Sequence, residues 1–401
     1  MYIDHTLIIR ELEKSIKFNK CNSILSFLPK GSYLVGGYIR DIILGRVPKK
    51  VDIDIVVPLN AIEIGKEISD NIKSKFIVLD KKREVVRIIL NDISIDIANQ
   101  VSSTIEEDLS ARDFTINSIA FLFDKKCLFD PLNGLKDLEI SLLRTHSEIN
   151  LLNDPLRILR CFRFISELNF KIDQNLIAFI KKNKKKLYLV AKERINYELH
   201  KIVNGKNALD AVILIKKLNI FGSENLYKDS FFLDLKKINY AELNQNEKEE
   251  FLPFFFITQI LDVVSLEELK FSKAEIAKTN LLRKWHFFLN NKNIAELNEL
   301  DRFKLHQELE IFLPSFIFYL PQNLRFNWLN RWRDKEDKLF HPSNLLNGNL
   351  VKKYLKIEGG PLLGELLEYL SKELAYKRLN NFDEAIYKAK QWIEQNAPKC
   401  D

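Results

Sequence analysis

The 401-residue chain has only four cysteines, Cys21, Cys127, Cys161 and Cys400, and no CxxC spacing among them. That argues against a zinc ribbon or a disulfide framework and favours a reducing compartment. No apolar run approaches the roughly 18 to 20 residues of a membrane span. The opening segment, MYIDHTLIIRELEKSIKFNK, has no signal-peptide layout. A cytoplasmic protein with no membrane partner is therefore expected. The six histidines, His5, His146, His200, His286, His306 and His341, form neither an HD pair nor HExxH, so an added metal phosphohydrolase domain is not expected. Neither a repeat of about 20 to 50 residues nor a low-complexity linker interrupts the chain.

The length exceeds one compact core, so two or more domains are expected. The net charge of +7 favours a polyanionic partner such as nucleic acid. That surplus carries little weight alone, because Lys, Ile and Asn are all abundant, as in chains coded by AT-rich genomes.

The most informative stretch is GSYLVGGYIRDIILGRVPKKVDIDIVV, residues 31–57. It reads as a short strand from Tyr33 to Val35 that breaks at Gly36 and Gly37. A helical turn carrying Arg40 and Asp41 follows, stops at Gly45, and leads into a second strand with Asp52 and Asp54. Carboxylates two apart on a strand share a face, while Val51, Ile53 and Ile55 point to the other and can be buried. Paired acids opposite a glycine turn with free N–H groups suit metal-dependent handling of a triphosphate. A calcium loop is the poorer reading, because its glycine and distal Glu are not in place.

Further along, residues 1 to about 30 read as an amphipathic helix and connector covering a sheet edge. Leu59 to Lys73 has helical spacing, and Phe76 to Leu79, Val85 to Leu90 and Ile93 to Ile97 read as strands. Asp96 sits on the last of these as a third carboxylate; catalysis and a structural role both remain open for it. Arg112 and Asp113 precede an expected apolar helix from about Phe114, and a strand holds Leu128 and Phe129. From about residue 145 helical periods dominate. In NDPLRILRCFRF, Asp154 and Pro155 suit a helix start, and Arg157, Arg160 and Arg163 fall on neighbouring positions of one face. Beyond about residue 215 the chain reads as an aromatic-rich helical body broken at Pro253, Pro314 and Pro321, and then a tail with a Gly359-Gly360-Pro361 turn.

Five ordered motifs resemble the class II, bacterial-type tRNA nucleotidyltransferases and their relatives the bacterial poly(A) polymerases. They are LVGGYIRDIILGR with DID, ARDFTINSIA, GLKDLEISLLRT, NDPLRILRCFRF and ERINYELHKI. The resemblance covers residues 31 to about 205 well, and the rest only in helical character. It implies an α+β chain: a polymerase-β-like nucleotidyltransferase head (1–144) with a mixed sheet of about five strands, then an elongated all-helical neck (145–215), body (216–335) and tail (336–401). Asp52 and Asp54 would bind two Mg²⁺ ions, one activating the RNA 3′-hydroxyl and the other holding the triphosphate, with Asp96 as the added catalytic candidate. Gly36, Gly37 and Arg40 would meet the phosphates, with Asp41 bracing. Arg112, Asp113 and Asn117 would lie near the sugar and phosphates. Asp154 and Arg157 would read the base of CTP or ATP through fixed donor and acceptor patterns. Arg160 would assist, and Glu193 and Arg194 would brace the readers.

Two departures matter. Asn153 stands where the family usually has Glu, which removes an expected ion-pair brace. The segment NQVSSTIEEDLS before Arg112 is short, where relatives that complete CCA carry a longer loop. The short form favours the CC-adding branch, acting on tRNA with CTP. The alternatives are a full CCA-adding or A-adding enzyme that also uses ATP, a poly(A) polymerase, or an inert RNA-binding scaffold. Lys181 to Lys186 and Lys352 to Lys356 are RNA-contact candidates.

Overall fold

The computed structural model describes residues 5–18, 22–46, 51–222, 229–290, 292, 294–356 and 359–396. Cys127 and Cys161 are free thiols. Cys21 and Cys400 lie outside the described residues. The chain forms two compact units, Met1–Ala211 and Val212–Asp401.

In the first unit the helices α1 (His5–Phe18) and α2 (Asn22–Leu25) precede β1 (Tyr33–Val35), α3 (Gly37–Ile43), β2 (Val51–Val57), α4 (Ala61–Ile72), β3 (Lys75–Asp80), β4 (Val85–Leu90) and β5 (Ile93–Asn99). Then come α5 (Ile105–Ser110), β6 (Ala120–Leu122), β7 (Cys127–Phe129), α6 (Gly134–Glu139), β8 (Leu142–Leu143), α7 (Glu148–Asn153) and α8 (Arg157–Leu168). β9 (Lys171–Ile172), α9 (Gln174–Asn183) and α10 (Lys192–Val203) complete it.

The sheet has seven strands rather than about five, in the order β3-β4-β5-β2-β1-β6-β7. β2 and β5 are parallel, and the other pairs are antiparallel. The added strands come partly from the segment after Phe114, where a helix was expected. There a single 3₁₀ turn, Thr115–Asn117, gives way to β6. β6 is buried throughout and pairs with β1, so strand pairing overrides an ambiguous apolar run. α1 packs on α3 and on the edge strand β7, covering that edge as expected. α4 lies on the other half of the sheet so closely that a Cβ on Gly65 would come 2.5 Å from Val86 Cγ2.

The helix expected to begin at Asp154 and Pro155 begins instead at Arg157, and Asp154 forms the C-terminal cap of α7. A two-stranded parallel pair joins β8, which lies just before the point where strands were expected to end, to β9, which lies well inside the segment read as all-helical. α8 and α10 pack on each other, burying Leu159, Phe162, Leu199 and Ile202 at about 1.5–3 kcal/mol per side chain.

α11 (Ala208–Leu218) carries the boundary, and the second unit is helical among its described residues. Its helices are α12 (Gln245–Ile260), α13 (Val263–Glu268), α14 (Lys273–Asn290), α15 (Glu299–Leu309), α16 (Leu313–Phe316) and α17 (Gln322–Arg333), then α18 (Gly348–Leu355), α19 (Pro361–Ala375) and α20 (Phe382–Asn396). Pro253 does not break the chain, since it lies inside α12. The carbonyl it leaves unpaired belongs to Glu249, an exposed residue, so water can satisfy it.

Candidate active site

Asp52 and Asp54 project from β2 on one face of the sheet, and Ile53 and Ile55 are buried on the other. Asp54 stands in register with Val35 of β1 on one side and with Asp96 of β5 on the other. Immediately after Val35 the chain turns at Gly36, whose φ is 84°, into α3. This glycine is required twice over. Its φ is costly for other residues, and a Cβ there would sit 2.9 Å from Asp54 Oδ2 and 3.0 Å from Arg112 Nη1. Gly37 begins α3 beside the Arg40 guanidinium.

These elements border a cleft of about 700 Å³ lined by Gly36, Gly37, Arg40, Asp41, Asp52, Asp54, Arg112, Asp113, Asn117, Arg157 and Arg160. Eleven of the residues read from the sequence thus meet in one place. Asp96 and Asp154 are not in the lining. Both oxygens of Asp96 accept from Arg87, each at 2.7 Å. Asp154 Oδ2 accepts from Arg194 at 2.9 Å, so the brace that Asn153 cannot give is supplied from α10. Glu193 is exposed on the same helix.

Burial first, then the charges of Asp96 and Asp52, push the Asp54 carboxyl upward against the pull of Arg112 and Arg87. Like charges held this close on a rigid strand are relieved by a cation. Among the described residues no cluster of three or more His, Cys, Asp and Glu side chains forms a complete metal cage. Mg²⁺ does not need one, because it binds through one or two carboxylates together with substrate phosphates. Asp52 and Asp54, hard oxygen donors facing an open cleft, fit that requirement.

The opposite wall is a hydrogen-bonded relay. Arg40 forks onto Asp41 at 3.0 to 3.1 Å and donates to Asn117 Oδ1 at 2.7 Å. The Asn117 amide and the Phe114 N–H donate to Asp113 Oδ1 at 3.0 and 2.9 Å, and Arg160 of α8 lies 3.0 Å from Oδ2. Burial alone would raise the Asp113 carboxyl, but Arg160, Asn117 and Phe114 outweigh it and hold the group below the usual carboxylate range. Arg157 Nη1 donates to the carbonyls of Ala111 and Asn150 at 3.1 and 3.0 Å. Arg40, Arg160 and Arg163 all approach the ring of Phe164, at 5.0, 5.9 and 5.0 Å from its centroid. Four buried atoms here have no hydrogen-bond partner: Arg112 Nε, Asp113 Oδ2, Arg160 Nε and Arg163 Nε.

Sequence reading missed several lining residues. Asp108 and Arg83 border the cleft, as does Arg163, which the sequence placed on the arginine face without a role at the site, and Asn150 ties α7 to it by donating to Ser110 and Arg112 carbonyls at 2.6 and 2.8 Å. Asp108 was findable, since it lies one helical turn before Arg112, 3.9 Å away. Arg83 reaches the site from the β3–β4 turn, and no local pattern marks that.

Residues 32–144 match the family described as the poly A polymerase head domain. Residues 169–223 match the one described as the probable RNA and SrmB-binding site of polymerase A. The chain thus carries a poly A polymerase head domain and the RNA-binding segment that accompanies it. It is 27% identical, over 96% of its own length and 97% of the relative's, to a CC-adding tRNA nucleotidyltransferase of Synechocystis. It is 35% identical to a CC-adding tRNA nucleotidyltransferase of Geobacter sulfurreducens, over 50% of this chain and 47% of that one. A Ligilactobacillus salivarius CCA-adding enzyme is 27% identical over 91% and 93% of the two chains. The fold matches the Thermotoga maritima CCA-adding enzyme complexed with tRNA at a TM-score of 0.75 and 23% identity, covering 98% of this chain and 100% of that one. No helix among the described residues is long and apolar enough to cross a membrane.

Proposed function

We propose that this chain transfers cytidylate from CTP to the 3′ end of tRNA in the cytoplasm and stops after two additions. The observation that carries the transfer chemistry is Asp52 and Asp54 facing the Gly36 turn across an arginine-lined cleft. Mg²⁺ bound by the two aspartates would lower the pKa of the RNA 3′-hydroxyl and neutralise the leaving pyrophosphate. The protein's own part is positional. Gly36 lets backbone approach the phosphates, Arg40 and Arg112 supply fixed positive charge, and Asp113 with Asn117 offers a rigid polar edge to the sugar. Arg157 is pinned by two carbonyls and Asp154 by Arg194, so donor and acceptor hold still while a base is read. Selectivity then follows from unpaired polar groups whenever the wrong base enters. Asp96, bidentate with Arg87 beside Asp54, tunes the acid pair from behind.

The stop after CC rests on the link between β5 and α5. Only residues 100–104 join Asn99 to Ile105, too few for a mobile arm over the base-reading wall. Similarity to one CC-adding relative over nearly its full length supports the same reading. Incubating tRNA that lacks CCA with CTP alone, ATP alone and both, then sequencing the ends, tests it. Products ending in CC with both nucleotides present are expected. A completed CCA would support the full CCA-adding alternative, and long A tracts without a tRNA requirement a poly(A) polymerase.

A further inference from the structure

On α10 the buried residues Ile195, Glu198, Leu199 and Ile202 define an inner face. Tyr197 is central on the opposite face, at helical spacing from Arg194 on one side and Lys201 on the other. The residue is 61% exposed, and Lys201 Nζ lies 4.4 Å from its ring centroid. A single exposed tyrosine ordinarily needs no explanation. This one differs in its neighbour, because Arg194, one turn earlier, holds the carboxylate of Asp154, the proposed base reader. Side chains on a helix lean toward its N-terminus, so the ring inclines toward that pair. The helix lies within the segment matched to an RNA-binding family.

We infer that Tyr197 is a stacking platform for a base in the unpaired 3′-terminal stretch of the acceptor RNA, with Lys201 taking an adjacent phosphate. This rests on the proposed transfer to an RNA 3′ end. RNA at the base-reading wall is necessarily at its growing end. That end is single-stranded, and unpaired bases are bound by stacking on aromatic rings, whereas duplex RNA is held through phosphates and 2′-hydroxyls. The Lys201 ammonium beside the ring gives the charge complementarity such a strand needs.

The test measures equilibrium binding of two RNAs to the full chain, a tRNA-like hairpin with an unpaired 3′ tail ending before CC and the same hairpin made blunt. Extension kinetics with CTP accompany it. Tyr197→Ala should weaken tailed-hairpin binding roughly 5- to 100-fold. The KM for RNA should rise in step, leaving the KM for CTP and blunt-hairpin binding unchanged. Tyr197→Phe and Tyr197→Trp should restore binding, since stacking needs the ring and not the hydroxyl. Lys201→Ala should reduce the salt dependence of binding, which Tyr197→Ala should not. Unchanged tailed-hairpin affinity in Tyr197→Ala, equal loss on the blunt hairpin, or failure of Phe to rescue would each overturn the inference while leaving the transfer reading intact. A wild-type chain that binds tRNA-like RNA but incorporates no CTP would sink the transfer reading instead, and a chain that binds neither hairpin would sink both.

Discussion

In the second unit Glu373 takes Arg378 at 2.7 Å and Lys388 at 2.6 Å, and Arg378 reaches on to Glu299 at 2.9 Å. Arg333 likewise forks onto Glu247 at 2.7 Å to each oxygen. These charges satisfy one another. In the first unit Arg112, Asp113, Arg160 and Arg163 each keep a buried polar atom without a hydrogen-bond partner; the second unit has such atoms too, on Glu242, Arg283, Arg302 and His306, but the first unit's four are set apart by lining one cleft. Closed ion-pair networks brace helices, while an open one leaves hydrogen-bonding capacity for a ligand. Charge count alone would not separate the two regions.

The largest effect expected from that contrast is on the open side. Asp52→Ala or Asp54→Ala should lower CTP incorporation by on the order of 10³-fold or more, with thermal melting little changed for the exposed Asp52. Single-turnover incorporation beside a melting curve separates the two readouts. Gly36→Ala should nearly match that loss, since its Cβ meets Asp54 and Arg112 while the backbone is strained at φ 84°.

Effects on the closed side fall on stability instead. His306 is buried between Trp328 and Phe340, and burial first, then Arg302 and Arg331, lower its pKa to about 3. The unfolded chain takes a proton near pH 6.5 that the folded chain refuses, so this stability is complete above that pH and is lost as pH falls toward 3. By pH 5 the loss is about 2 kcal/mol. Unfolding free energies from urea titrations at pH 7 and 5 should differ by that much more in wild type than in His306→Leu. Glu373→Ala should cost about 1–2 kcal/mol in the same assay, a value discounted because Arg378 is partly exposed, and it should leave the KM for CTP unchanged. A large change in that KM would erase the contrast between the regions.

Strand residues were the most legible part of the site. A period of two fixes which way Asp52, Asp54 and Asp96 face, and β1, β2, β4 and β5 fall close to where the sequence places them. What the side chains do once there depends on partners distant in sequence. Nothing local to Asp96 reveals that Arg87 occupies both its oxygens, and nothing near Asp154 reveals Arg194. β6 was misread because its apolar run suits helix and strand equally, and only β1 and β7 beside it decide. The start of α8 was misplaced because Asp154 followed by proline also suits the cap of the preceding helix.

The proposed activity is that of a cleft that transfers cytidylate twice and then stops. It is tested most directly by incubating the full chain with Mg²⁺, CTP and ATP on tRNA lacking its CCA end and sequencing every 3′ terminus. Ends at CC, absent in Asp54→Ala, are the predicted result. Termini completed to CCA, or extension that persists in Asp54→Ala, would contradict it.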